Sequence, residues 1–550
     1  MPEVAQADQG LATAVADLEQ REVVRKLLAG DPSAWSEDGA VREKIVNRLG
    51  WIPVVREMAA EVDDLKRFAA GLAHEGYKYA VLLGMGGSSL APIVLREVLA
   101  SDKPLLKLEV IDTTDPETIF AVERRIDLDH TVFIVSSKSG GTIEPNTLAA
   151  YFWERTGGDG SRFIAVTDPD TELSRLAAAN RYRRAFINRP DIGGRYSALS
   201  YFGLVPAALM GLDVGHIVGG ATKLLDGLSD ELREGDSPTW LGARLGALAT
   251  AGRDKVTFVM DERLASLGLW LEQLIAESTG KEGKGLVPVA GERLGPVGVY
   301  GADRVFVEIG LRGSDEAELD DFEDAGHPVI RRTLKNPNDL GAEFLAWEIA
   351  TAVAGAVLGI NPFDEPNVQE SKDNTSRLLD ELQSSGSLPA AGQSAEYDTI
   401  AVTGAGGSAV DLVRGFLRDA PGGGYIALMA YVGETAEREN AFQDIRTAIR
   451  DQSRLATTFG YGPRFLHSTG QLHKGGKQNG AYVQFVAPVQ EDVVIPGRPF
   501  TFGQLIAAQS LGDHQALLSR GRPVLRIDLG MDRQRGLAAA ERLFSEALTS

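Results

Sequence analysis

Two short loops constrain this chain more than any other stretch. Val132-Phe133-Ile134-Val135 is an apolar, β-rich run that ends in Ser136-Ser137-Lys138-Ser139-Gly140-Gly141-Thr142, and a helical pattern over 144–155 follows. Val81-Leu82-Leu83 runs likewise into Gly84-Met85-Gly86-Gly87-Ser88-Ser89 and a helical segment from Leu90. Strand, glycine- and hydroxyl-rich loop, then helix aims backbone N–H groups, hydroxyls and one ammonium at an anion over a helix N-terminus. Two such loops in successive βα units point to a phosphorylated small molecule. Neither is a nucleotide loop. Residues 136–142 lack the Walker spacing, and Gly84-x-Gly86-Gly87 lacks the third glycine of the dinucleotide fingerprint. By itself the earlier loop reads equally well as a tight βα turn.

The chain has 550 residues, room for roughly two to four domains with buried cores. It carries no cysteine, which excludes disulfides, thiolate zinc sites and cysteine nucleophiles and fits a reducing cytoplasm. A net charge of -21 argues against binding to nucleic acid or to an anionic membrane, because phosphate backbones reward clustered cations. It does not argue against a phosphosugar, since a few local donors hold one phosphate whatever the global charge. No stretch reads as a signal peptide or a membrane span. The longest apolar run, 344–360, is broken by Glu348 and glycines and reads as a core helix.

Residues 1–76 read as an N-terminal helical segment, with apolar periodicity over 11–28 and 41–72 and a break at Gly30-Asp31-Pro32-Ser33. From 77 to 245 short apolar strands, expected at 77–83, 107–111, 131–135 and 162–166, alternate with amphipathic segments. A second block, 246–381, has expected strands at 255–260 and 303–309 and helices at 265–277 and 341–358. Residues 382–397 read as a linker, and 398–550 as a third block with strands at 399–402, 424–432, 481–486 and 523–528. The fold class is α/β, with parallel sheets covered by helices on both faces.

Three further segments carry chemistry. In Asp191-Ile192-Gly193-Gly194-Arg195-Tyr196-Ser197 the paired glycines admit close backbone approach and Arg195 supplies a permanent cation with a planar donor fork. The plainer reading is a surface turn with a salt-bridged arginine. In the segment from Trp270 to Lys281, Trp270, Leu271, Leu274 and Ile275 form a core stripe, while Gln273 and Glu277 project i, i+4 from one face near the helix end. A carboxylate desolvated there has a raised pKa, suited to a general base; an isolated glutamate is ordinarily a solvated helix-end charge. Asn361-Pro362-Phe363-Asp364-Glu365-Pro366 leads into a helix with Lys372, which alone reads as a capped helix start. Thr403-Gly404-Ala405-Gly406-Gly407-Ser408 reads as a βα turn of the third block.

Together and in this order, these segments resemble phosphoglucose isomerase over roughly residues 40–380: Gly84 to Ser88, Ser137 to Thr142, Gly193-Gly194-Arg195-Tyr196-Ser197, Gln273 to Glu277 with Ser278-x-Gly280-Lys281, and Asn361 to Lys372. The resemblance implies two doubly wound sugar-isomerase (SIS) domains, followed here by the third α/β domain. The run from Gly460 to Gly475 and the long C-terminal block look like the isomerase portion of bacterial fused transaldolase/glucose-6-phosphate isomerases. The chain begins where that portion would begin, with no room for a transaldolase barrel. Carried onto this sequence, the family implies that Gly87, Ser88, Ser137, Lys138, Ser139 and Thr142 bind the substrate phosphate. Glu277 would move a proton between C1 and C2 through a cis-enediol(ate), Gly194 and Arg195 would stabilise its charge, Gln273 would position hydroxyls, and Lys372 would assist ring opening. The expected reaction is glucose 6-phosphate to fructose 6-phosphate in the cytoplasm, without metal or organic cofactor.

Two positions depart from the family. Its ring-opening histidine, which often reaches across from a neighbouring subunit, is replaced by Asp303 in Tyr300-Gly301-Ala302-Asp303, and the glutamine before Pro366 is Glu365. His467 and His473 are the best substitutes by sequence, with His327 weaker; an imidazole pKa near 6.5 suits proton shuttling. A homodimer follows from the resemblance alone, and the C-terminal block could instead supply what a partner subunit would; association with a transaldolase is a further implied partner. The competing readings are a catalytically silent SIS-type phosphosugar sensor or interaction protein, and an isomerase relaxed toward mannose 6-phosphate. A sensor needs the phosphate loops but neither Glu277 nor Arg195, so their joint presence favours turnover.

Overall fold

A computed structural model describes residues 2–313 and 319–549. The first sheet is parallel in the order β2-β1-β3-β4-β5, with β1 Tyr79–Leu83, β2 Lys107–Ile111, β3 Thr131–Ser136, β4 Phe163–Thr167 and β5 Arg184–Ile187. The second, also parallel, runs β7-β6-β8-β9, with β6 Lys255–Met260, β7 Val287–Val289, β8 Arg304–Leu311 and β9 Val329–Leu334. The third is mixed: β10 Ser394–Tyr397 and β11 Ile400–Thr403 run antiparallel beside the parallel strands β15 Val524–Asp528, β14 Gly480–Val486, β12 Tyr425–Tyr431 and β13 Ala456–Tyr461.

Central parallel strands are buried on both faces, so they read as unbroken apolar runs. In β3, Val132 and Ile134 enter one core while Phe133 and Val135 enter another, as the strand period of two requires. The first of these cores is shared with the second sheet and with N-terminal helices such as Trp51–His74. The Leu340–Leu358 helix lies in the same core. It belongs to the one described segment, Pro337–Leu358, that is long and apolar enough to cross a bilayer, but 89% of that segment's apolar window is buried inside the protein.

The third sheet is what shapes the site. Along β12, Ile426, Leu428 and Ala430 pack under the outer helices, while Tyr425, Ala427, Met429 and Tyr431 face Ala276, Val287, Val289 and Leu472. This sheet therefore leans on the Leu267–Thr279 helix and on β7. The Phe502–Ser519 helix, which joins β14 to β15, packs with Val368–Ser385 over the first sheet.

Sequence expectations and structure differ in three places. Residues 382–397 are not a bare linker: they finish the Val368–Ser385 helix and then form edge strand β10. β5, β7, β9 and β10 were not expected because they are short or carry exposed polar residues along the strand, as in the Arg331–Thr333 stretch of β9. β13 was missed because Thr457, Thr458 and Gly460 dilute its apolar pattern.

Candidate active site

The Leu267–Thr279 helix buries Trp270, Leu271, Leu274 and Ile275 and turns Gln273 and Glu277 toward the loops of the first sheet. Gln273 Nε2 donates to Glu277 Oε2 at 3.0 Å and to the carbonyl of His467 at 2.7 Å. Glu277 Oε1 lies 3.2 Å from Arg195 Nη1, and the glutamate side chain is 13% exposed. Burial pushes its carboxyl up, Arg195 opposes that rise, and the like charge of Glu365 adds to it; the net direction is upward.

Arg195 is buried and its donors are engaged. Nε donates to Ser278 Oγ at 2.8 Å, Nη2 to the carbonyls of Pro362 at 2.8 Å and Asp364 at 3.0 Å, and Nη1 to Glu365 Oε2 at 3.0 Å while facing Glu277. The 361–366 turn thus wraps the guanidinium. Lys281 holds the same turn through the Asn361 carbonyl and Asp364 Oδ1, both at 2.8 Å, and burial lowers its ammonium to about 8.

Two glycines let the loops close on this helix. Gly86 has φ +55°, and a Cβ there would lie 2.7 Å from the His467 carbonyl oxygen and 3.0 Å from Gln273 Nε2. A Cβ on Gly87 would lie 2.1 Å from the Gly194 carbonyl oxygen. No other residue fits either place. Ser88 follows, buried, with its carbonyl accepting from Ser136 Oγ at 3.3 Å.

In the second loop Ser137 Oγ donates to Thr142 Oγ1 at 3.1 Å. Thr142 is the N-cap of the Ile143–Arg155 helix but makes no side-chain capping bond, which leaves that terminus for an external acceptor. Ser139 is exposed at the tip, its Oγ accepting from Gly141 N. Lys138 turns elsewhere: Nζ pairs with Asp168 Oδ2 at 2.5 Å and donates to the Pro190 carbonyl at 3.1 Å.

The C-terminal block closes the site. A cavity of about 140 Å³ is lined by Thr142, Glu144, Lys372, His467 and Gln509 among others. His467 Nε2 lies 3.1 Å from Glu144 Oε1, which also accepts from Gln509 Nε2 at 2.7 Å; Gln509 Oε1 in turn accepts from Thr114 Oγ1 at 2.7 Å. Glu144 Oε2 is buried with no partner. Burial works against the charged carboxylate, but the charge and hydrogen bond of His467 outweigh it and hold Glu144 below the usual range. Lys372 is exposed at the rim, its charge reaching Glu144.

Gly87, Ser88, Gly194, Arg195, Gln273, Glu277 and the His467 segment therefore meet, with Thr142 and Lys372 lining the adjoining cavity and Ser137 bonded to Thr142; Lys138 points to Asp168. Glu144 and Gln509 escaped the sequence reading. A carboxylate in the first turn after an anion loop was the available signal, since a second negative charge there calls for a cation. Asp303 pairs with Lys255 Nζ at 3.0 Å at the start of β8. His473 is buried against Phe465, Tyr425 and Tyr482, and burial drives its imidazole well down, so it packs as an aromatic ring. His327 packs on Phe306 and Phe322. No group of three or more His, Asp or Glu with metal-holding geometry occurs among the described residues.

The family model for phosphoglucose isomerase matches residues 46–291. A glucose-6-phosphate isomerase of Rubrobacter xylanophilus is 31% identical over 350 residues, 53% of this chain and 80% of that protein. One of Nostoc punctiforme is 29% identical over 354 residues, 54% of this chain and 66% of that protein. Among solved structures, a hypothetical protein of Thermus thermophilus superposes with TM-score 0.56 at 24% identity, covering 69% of this chain and 98% of that one. A glucose-6-phosphate isomerase of Chlamydia trachomatis gives 0.52 at 20% identity, covering 68% and 86%. These structural likenesses speak to the SIS-type fold. On the strength of the Rubrobacter relative and the matched family model, the chain belongs to the phosphoglucose isomerase family and is a sugar phosphate isomerase.

Proposed function

We propose that this chain interconverts glucose 6-phosphate and fructose 6-phosphate, with Glu277 as the base. The observation that carries this reading is a carboxylate with raised pKa, oriented by Gln273 and Arg195, beside two glycine- and hydroxyl-rich loops. The substrate phosphate sits on Ser88, Ser137 and Thr142 and over the uncapped start of the Ile143–Arg155 helix. Ser139 closes from the loop tip, and Lys138 contributes positive charge only on leaving Asp168.

A C–H beside a carbonyl is a very weak acid, so base and oxyanion stabilisation must act together. Glu277 takes the proton from C2 of the open-chain aldose as the C1=O1 electron pair moves onto O1; the O2 proton passes to O1 across the cis-enediol(ate), and the same carboxyl returns its proton to C1 as O2 becomes the carbonyl. Arg195 acts on the developing charge mainly through space, because its N–H groups are already engaged. Loss of one such electrostatic donor costs about 3–4 kcal/mol of barrier. Gln273 and the Gly194 segment position the sugar.

Ring opening needs a proton moved between the ring oxygen and the C1 hydroxyl. In this reading His467, held by Glu144, and Lys372 move it. Coming from the same chain, His467 stands in for the histidine that Asp303 displaces. The test is a coupled assay on the purified chain with Glu277→Gln alongside. The variant loses turnover and solvent-proton exchange at C1 and C2 but still binds fructose 6-phosphate; near-normal turnover refutes the assignment.

A further inference from the structure

A second cleft, of about 380 Å³, lies at the carboxyl ends of β12, β14 and β15. From β12 the chain moves outward to β13 on one side, and from β14 to β15 on the other. That reversal is the switch point of the third sheet, where open α/β sheets take their ligands. The candidate active site makes no use of it. Gln509, which holds Glu144, and Ser510, which lines this cleft, are consecutive on one helix and leave it roughly 100° apart.

Two donor side chains line the cleft. Arg526, on β15, donates to the Gln484 side chain, to the Ser510 carbonyl at 3.5 Å and to Ser510 Oγ at 3.3 Å, with no carboxylate within ion-pair distance among the described residues. The nearby acids are engaged elsewhere. Asp492 accepts from Gly503 N at 2.7 Å and Thr501 Oγ1 at 2.6 Å, Asp528 from Gly530 N at 2.9 Å, and Asp513 pairs with Lys474 at 2.8 Å. Burial lowers the Arg526 guanidinium, and the charges of Tyr431, Asp528 and Asp513 only partly offset that fall. Tyr431 also lines the cleft; it is 3% exposed and its hydroxyl has no hydrogen-bond partner. A half-buried cation and, beside it, a buried orphan hydroxyl, which is costly by itself, are served together by one oxyanion. Leu382, Leu388, Val486 and Ile506 add apolar surface to the lining.

We infer that this cleft binds a small organic oxyanion, a phosphate or carboxylate head on an apolar body. The head takes donors from Arg526 and Tyr431, and the body lies on Leu382, Leu388 and Ile506. Apolar walls with a few convergent polar groups are the common build of a small-molecule site.

Calorimetric titration of the full chain with phenyl phosphate and with benzoate tests this, in the presence of saturating fructose 6-phosphate to fill the phosphate loops. At least one probe binds, and the better of the two identifies the head. Arg526→Met weakens that binding about tenfold or more. Ala507→Trp, which fills the cleft from a partly exposed wall position and leaves Arg526 in place, weakens it likewise and covers the case in which Arg526→Met does not fold. Unchanged binding in Arg526→Met, or binding of neither probe at ~10 mM, overturns the proposal. Neither result depends on isomerase activity, so failure of the cleft and failure of the Glu277 assignment are told apart.

Discussion

Two glutamate–arginine clusters, built from the same side chains, behave in opposite ways. Glu292 is fully buried, takes a two-pronged pair from Arg304 at 3.0 and 3.3 Å, and accepts from Thr457 N at 3.0 Å and Thr457 Oγ1 at 2.7 Å. Burial opposes its charge, but Arg304 and Arg446 outweigh that and hold the carboxyl below the usual range. This cluster pins β8 of the second sheet to β13 of the third. Glu277 instead has one hydrogen bond from Gln273 and one facing arginine, itself shared with Glu365, and its carboxyl is pushed up. A saturated carboxylate is a fastener. An under-saturated one retains affinity for a proton, which is what a base requires.

The largest effect expected from disturbing this contrast is on the under-saturated side. Glu277→Gln lowers kcat by roughly a thousandfold or more while leaving the thermal midpoint near that of the parent, as stopped assays and calorimetry would read. On the saturated side, Glu292→Ala strands Arg304 and costs about 3–5 kcal/mol of stability with kcat per folded molecule unchanged, measured by urea unfolding. The folded pKa of Glu292 lies below its unfolded value, so the unfolded state binds more protons in acid. The contribution is therefore present above the ordinary carboxylate range and is lost as pH falls through the lowered folded value, and the gap between parent and variant narrows in acid.

His467→Ala reduces turnover of ring-closed glucose 6-phosphate by roughly a hundredfold, with a smaller effect on C1–C2 proton exchange measured on an open-chain substrate. Equal effects on both would remove His467 from ring opening. The smallest expected effect is Glu365→Gln, which removes a like charge beside Glu277. The acid limb of kcat/KM, which for the parent lies above the ordinary carboxylate range, moves to lower pH. An unmoved limb would mean that burial alone sets the base.

The legibility of the chain follows burial. β1 and β3 were visible because parallel strands covered on both faces must be apolar throughout. β5 and β9 were not, because edge strands with one exposed side carry arginines. Gln273 and Glu277 were legible as a helical i, i+4 pair. Glu144 was hidden, since its partners His467 and Gln509 lie 323 and 365 residues away in sequence. Lys138 was legible as a cation in an anion loop, but its pairing with Asp168 was not.

By itself the sequence determined the sheets' central strands, the loops that turn backbone donors toward an anion, and the helix that presents Gln273 and Glu277. These are local matters of periodicity, glycine placement and helix spacing. Only the tertiary structure decided which histidine meets the site, which carboxylate is saturated and which is not, and that Arg526 is held by Gln484 and Ser510 rather than by an ion pair. Such pairings depend on side chains brought together across hundreds of residues by packing of the third sheet against the Leu267–Thr279 helix. In that dry contact, the count of available donors sets whether a charge is fastened or left reactive.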